Sequence, residues 1–254
     1  MVGYKDNNPN IVENYKEIAK LARIKVLEMI YKAQVSHIGS NFSCIDILAV
    51  LFNKITDKDK VIFSKGWVAA AAYYFLSLKG IIPKEDLKLY CEEGSPYIGL
   101  VEPSVEGIHF AGGSMGYGLP AGVGFALAKK LSKEAGRIYV LMSDGELAIG
   151  TTWEALLIAI KHNLKLTVIV DWNGYQAMGK VEDILPIPIP DIFKAKTING
   201  HDYREISSAL KNSDFILAKT VKGKGVSFME NNNLYHYKAP SKREYELALK
   251  ELNG

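Results

Sequence analysis

Cysteine is nearly absent: Cys44 and Cys91 are the two in 254 residues, at no metal-ligand spacing. So few sulfurs cannot staple a chain this long, which excludes a disulfide scaffold and suits a reducing cytoplasm. No run approaches the ~18 uninterrupted apolar residues of a membrane span, and residues 1–16 carry no apolar core of the signal-peptide kind. An excess of one charge is missing too: the net charge is +3, and Lys and Arg are scattered, which leaves no footprint for nucleic acid. There is no internal repeat and no low-complexity tract. What is present is 48% hydrophobic residues, ample for a buried core, in a length that suits one large α/β domain or two small ones. We read one domain over residues 1–254, closing on a charged amphipathic helix at 241–254.

The stretch that organises the chain is residues 143–179, SDGELAIGTTWEALLIAIKHNLKLTVIVDWNGYQAMG. An apolar run at 137–142 leads into Ser143-Asp144-Gly145-Glu146. Thr151 or Thr152 can cap a helix running through Lys161, and LTVIV at 166–170 then delivers Asp171-Trp172-Asn173-Gly174. This reads as a βαβ unit whose parallel strands end at one sheet edge. Asp144 and Asn173, 29 positions apart, therefore meet in space. A carboxylate, an amide oxygen and a backbone carbonyl suit a hard cation, which usually completes its shell with phosphate oxygens. Gly145 leaves room for phosphate against the main chain, and the helix that follows offers N-terminal amides to an anion.

These residues resemble the thiamine diphosphate motif, and WEAL at 153–156 with DWNGYQAMG at 171–179 is similar to transketolases in particular. The resemblance implies a three-layer thiamine diphosphate-binding fold, an α/β architecture with a mostly parallel central sheet flanked by helices. It implies Mg2+, with Ca2+ as the alternative, on Asp144, Asn173 and the main-chain oxygen of Tyr175. It adds Gly145 and Glu146 to the cofactor's contacts.

Other segments fall in family order. Helical spacing over 11–33 (Ile18, Leu21, Ala22, Ile24, Val26, Leu27, Ile30) predicts a long amphipathic helix, and a second helix is expected with Ser43 as N-cap and Asp46 in its first turn. His37, in the loop before it, matches the family histidine that reaches the reacting carbon, with Ser36 and Ile38 in place of the family's glycine and proline. The stretch 58–80 reads as a short buried strand, an SKG loop and an alanine-rich helix. Ser64 is assigned there to cofactor binding. Trp67 stands where the family has a histidine touching cofactor phosphate and substrate, and an indole donates one N–H and accepts nothing. Leu100 is aligned with a second family histidine that contacts donor hydroxyls, and His109 lies where a carboxylate is usual. The glycine loop Gly113-Ser114-Met115-Gly116 would meet the aminopyrimidine, with Met115 against the rings. Residues 179–190, with three prolines, read as an ordered loop or a lid; 195–221 reads as strand, helix, strand. His236 corresponds to a histidine approaching diphosphate or substrate, and Glu154 to a glutamate in the network between cofactor sites.

The resemblance covers the diphosphate-binding part of a transketolase and implies carbanion chemistry with the cofactor as electron sink. A pyrimidine-binding domain and its catalytic glutamate would come from a partner chain resembling the C-terminal part of transketolase, in an α2β2 heterotetramer. The changed histidines point to a donor other than the usual ketose phosphates. A 2-oxoacid dehydrogenase-like or deoxyxylulose phosphate synthase-like subunit shares the metal motif, as would a cofactor-binding subunit without turnover. The DWNG-Y-Q ending and the SKG segment favour transketolase.

Overall fold

A computed structural model of the chain describes residues 9–254; residues 1–8 of the one-domain reading lie outside the described residues. In chain order come α1 (Pro9–Ala33), α2 (Ile38–Lys54), β1 (Lys60–Phe63), α3 (Ala69–Leu78), α4 (Gly118–Leu131), β2 (Ile138–Ser143), α5 (Gly150–Lys161) and β3 (Leu166–Trp172). They are followed by the short α6 (Val181–Ile184), β4 (Lys196–Asn199), α7 (Tyr203–Asn212), β5 (Phe215–Lys219) and α8 (Lys242–Asn253). The five strands are all parallel in the order β1-β2-β3-β5-β4.

The period-two alternation of strand side chains builds the three layers. Val61, Phe63, Leu141, Ile169 and Ile216 enter one core with α1, α2, α3, α7 and α8. Their neighbours Ile62, Val140, Met142, Val168, Val170 and Leu217 enter the other with α4 and α5. Burial on both faces is why these strands read as near-continuous apolar runs. α2 is buried along Ile38–Phe52, its polar Asn41, Ser43 and Asp46 included, each with a hydrogen-bond partner.

Because the strands are parallel, their carboxyl ends share one edge, which in this class is where sites form. Phe63 is level with Leu141, and Ser143 with Asp171, so Ser64, Asp144 and Asn173 emerge side by side.

Two expected caps are overturned. α2 begins at Ile38, so Ser43 and Asp46 lie inside it. His37 is the N-cap, held at φ 73°, and its carbonyl accepts from Asn41 N at 3.0 Å. Ser43 is drawn instead to Asp171, with its Oγ 2.6 Å from the Oδ2. Asp46 takes two bonds from Arg23 at 3.0 and 2.6 Å and one from Tyr203 at 2.8 Å, tying α2 to α1 and α7. At α5 neither threonine caps: the cap is Ile149, while Thr152 Oγ1 donates to the Glu146 carbonyl and Thr151 Oγ1 to that of Gly116. Asp144–Ala148 forms its own 3-10 turn, so the amides beside Asp144 are not those of α5. Residues 179–190 include α6 rather than being loop throughout.

Candidate active site

A cavity of about 440 Å3 opens at the carboxyl edge of β1, β2 and β3. Its floor is Ser64, Lys65, Gly66, Asp144, Gly145, Glu146 and Asn173; His37, Trp67, Met115, Tyr175, His236 and Tyr237 complete the wall. The volume is in the range of small-molecule and cofactor sites.

At the Asp144 end the geometry is set by main chain. Asp144, 1% exposed, accepts from Gly145 N at 2.8 Å and from Gly174 N at 2.7 Å, so one carboxylate joins the β2 and β3 loops. Asn173 Oδ1 accepts from Tyr175 N at 3.0 Å, and its Nδ2 donates to Ser43 Oγ at 3.3 Å. Burial pushes the Asp144 carboxyl up to about 6, despite the two amides. A carboxylate so desolvated calls for a cation, and Asn173 Oδ1 keeps a second lone pair for one. Gly145 supplies the cradle: a Cβ there would stand 3.3 Å from Met115 Cε and 3.4 Å from Gln176 Cγ, in the space beside the carboxylate. Among the described residues, Gln176 Nε2 is the buried side-chain atom left without a hydrogen-bond partner. The donor set fits a divalent cation carrying a phosphate group.

Glu146 lines this end but its oxygens are already engaged. One accepts from Ser64 Oγ and from Gly116 N at 3.2 Å; the other accepts from Ser143 N at 2.7 Å and Ser143 Oγ at 3.0 Å. It therefore clamps the SKG loop, the glycine loop and the 3-10 turn together rather than reaching for a ligand. Gly66 and Gly112 bring two of these loops into backbone contact: a Cβ on Gly66 would fall 2.1 Å from the Gly112 carbonyl oxygen.

The far end is made of rings. His37 stacks on Trp67, with centroids 4.6 Å apart and planes 12° from parallel, and meets His236 edge-on at 4.9 Å. His37 N donates to the His236 carbonyl at 2.9 Å, which couples the two loops. Asn41 fixes the stack from below: its Nδ2 donates to the carbonyls of His37 (2.9 Å) and Trp67 (3.1 Å), and its Oδ1 accepts from Ala71 N. Burial, with positive Lys222 and Lys65 nearby, pushes His37 down to about 4; burial and Lys222 push His236 down to about 3. Both imidazoles are neutral at physiological pH.

The comparisons with known proteins bear on the family and the fold. The family model described as "Transketolase, thiamine diphosphate binding domain" matches residues 14–251. The chain belongs to the transketolase family. An apulose-4-phosphate transketolase subunit of Phocaeicola vulgatus is 32% identical over 266 residues, 95% of each chain. The 6-deoxy-6-sulfo-D-fructose transketolase subunit SqwG of a Clostridium species is 31% identical, over 92% of this chain and 94% of its own. The crystal structure of transketolase from Campylobacter jejuni superposes with TM-score 0.89 at 29% identity, covering 95% of this chain. This chain spans 43% of that longer transketolase.

Of the residues singled out in the sequence, Ser64, Trp67, Met115, Asp144, Gly145, Glu146, Asn173, Tyr175, His37 and His236 meet around one cavity. Gly113 and Ser114 are exposed and outside its wall, as is Glu154 on α5, and Gly116 is held to Glu146. Leu100 packs beside Gly113 and is not among the residues that line the cavity. His109 lies at the opposite end of the sheet, in a separate cavity with Asp59 and Lys60, and cannot replace a site histidine. Sequence reading missed Lys65, whose buried Nζ donates to Asp171, Ser40 O and Ser43 Oγ. Burial opposes its charge, but Asp171 outweighs this and holds the ammonium above its ordinary range. It also missed Asn41 and Lys222. The signal available was polar residues inside otherwise apolar stretches, which mark buried and partnered groups.

Proposed function

We propose that this chain is one domain and the diphosphate-binding subunit of a two-chain, thiamine diphosphate-dependent transketolase-like enzyme of the cytoplasm. The observation that carries the reading is the juxtaposition of Asp144, Gly145 and Asn173 at adjacent parallel strand ends, floored into a cavity of cofactor size. Asp144, Asn173 Oδ1 and the Tyr175 carbonyl would hold Mg2+, with Ca2+ as the alternative. Gly145 would admit the diphosphate, and Gln176 Nε2 lies beside it. The bound cofactor supplies an electron sink for a substrate carbanion. Met115, on the cavity lip, would bear on its rings. His37 and His236, both neutral, would offer hydrogen bonds to oxygens on the reacting carbon.

The partner, a subunit resembling the C-terminal part of transketolase, would supply the pyrimidine-binding domain and catalytic glutamate in an α2β2 heterotetramer. Support comes from relatives of matching length that are named as subunits. The exposed apolar side chains Met115 and Tyr117 beside the glycine loop, with Leu157 on α5, would contribute to that contact, and Glu154 lies one turn from Leu157 on the same helix. Patches of this kind mark interaction sites in soluble proteins.

The donor is a modified sugar or a short 2-oxo acid rather than an ordinary ketose phosphate. Trp67 has no acceptor atom and covers one face of His37, so hydroxyls that an imidazole would pair go unpaired, at about 1–3 kcal/mol each. The test is to reconstitute the pair and assay xylulose 5-phosphate and pyruvate with wild type and Trp67→His. Efficient use of xylulose 5-phosphate by the wild type, with no gain in the variant, sinks the donor assignment. Absence of cofactor-dependent turnover with any donor, despite tight cofactor binding, would make this a binding subunit without catalysis.

A further inference from the structure

Behind the two cavity histidines lies a fully buried lysine that the site as described does not use. Lys222 follows β5 and is 0% exposed. Its stem runs against the first turn of α2, where a Cβ on Gly39 would come within 3.1 Å of its Cγ. The main chain is pinned on both sides: Gly223 N donates to Gly39 O at 3.0 Å, and Asn231 N to Lys222 O at 2.8 Å. The ammonium cannot move far. Its Nζ lies 2.8 Å from Asn233 Oδ1 and 2.9 Å from His236 Nδ1.

The sense of that last contact is decided by chemistry. A protonated lysine has three donors and no acceptor, so the bond must run from Nζ–H to Nδ1. A neutral imidazole has one N–H, and with Nδ1 accepting, that proton sits on Nε2. The Asn233 oxygen takes a second ammonium proton and keeps the lysine aimed at the ring. His236 itself lines the cavity. We infer that Lys222 is a positioning residue that holds His236 as its Nε2–H tautomer, so that the ring presents the cavity with a hydrogen-bond donor. The partner it suits is an acceptor oxygen, carbonyl or phosphoryl, and not a hydroxyl proton to be abstracted. That last step rests on the proposed function; the tautomer itself does not. Burial and the charge of Lys65 push Lys222 down to about 8, which still leaves most of it protonated at neutral pH.

The experiment is nitrogen-15 NMR of histidine-labelled full-length chain near neutral pH, with the His236 signals identified by their loss in His236→Gln. The expected pattern is an unprotonated shift at Nδ1 and a protonated one at Nε2. In Lys222→Met the two shifts move toward the average of exchanging tautomers. A proton on Nδ1 in the wild type, or a pattern unchanged in Lys222→Met, overturns the inference. Should Lys222→Met fail to fold, Lys222→Gln replaces it with the same expected loss of the Nε2–H pattern, and a wild-type proton on Nδ1 still overturns the inference. Calorimetric titration of the same samples with Mg2+ and thiamine diphosphate separates the two readings. The expected tautomer, lost in Lys222→Met, without cofactor binding upholds the lysine's role and sinks the cofactor assignment; binding with the proton on Nδ1 does the reverse.

Discussion

At the Asp144 end of the cavity, polar atoms are held by backbone amides at the ends of two adjacent strands; at the His37 end, they are held by side chains from three segments distant in sequence. Asp144 takes its bonds from Gly145 N and Gly174 N, which any sequence making the same turns would provide. His37 depends on Trp67, Asn41 and the His236 loop, each an individual side chain or contact. The first end can be kept while the second is rebuilt. Under the proposed function, the part that would grip the common group sits on sheet geometry, and the part that would meet the variable group sits on replaceable rings.

The contrast is broken most severely beneath both ends. Lys65→Met strands Asp171 as a buried charge, although Ser43 and Thr220 still bond to it. A loss of about 3–5 kcal/mol of stability is expected, read as a lowered urea midpoint with unchanged slope. An unaltered midpoint would mean that the hydroxyls alone carry Asp171.

Asp144→Ala tests the main-chain end by itself. Magnesium-dependent affinity for thiamine diphosphate should fall by more than about 100-fold, a cost of about 3 kcal/mol or more, with little effect on the fold. Equal calorimetric affinity in wild type and variant would remove Asp144 from the metal shell.

Trp67→His tests the ring end, and should leave cofactor affinity within about threefold of wild type. It should raise kcat/KM for a ketose phosphate relative to a modified donor by about tenfold, roughly the worth of one regained hydrogen bond. A parallel fall in cofactor affinity would show that the two ends are not separable.

The smallest effect is a slope. His37 and His236 are held below 6.5, at about 4 and about 3. The unfolded chain therefore takes up protons that the folded chain refuses, and stability falls as pH drops below about 6.5, with no contribution above it. Between pH 7 and 6 the change is under about 1 kcal/mol per histidine. Replacing both by glutamine should flatten the acid side of a stability-versus-pH curve; an unchanged slope would assign it to other groups.

The same division explains what was legible. The β2-α5-β3 unit, the parallel edge and the meeting of Asp144 with Asn173 follow from local pattern, because alternating apolar strands and a crossover helix leave few topologies. The start of α2 was misplaced because Ser43 and Asp46 carry the chemistry of caps, yet their oxygens are satisfied by Asp171, Arg23 and Tyr203 across the core. The place of His109 at the far end of the sheet was not legible, since a loop's distance from a motif does not say which end of the sheet it crosses. Lys65, Asn41 and Lys222 bond to groups 20 or more positions away, or to a histidine whose own placement depends on another loop.

The sequence by itself determined the fold class, the family and the sheet edge at which Asp144 and Asn173 meet, because these rest on spacing along one strand-helix-strand unit. Which ring stacks on which, and which lysine lies behind which histidine, was decided only in the tertiary structure, where desolvation makes every buried polar atom find a partner wherever the fold has brought one.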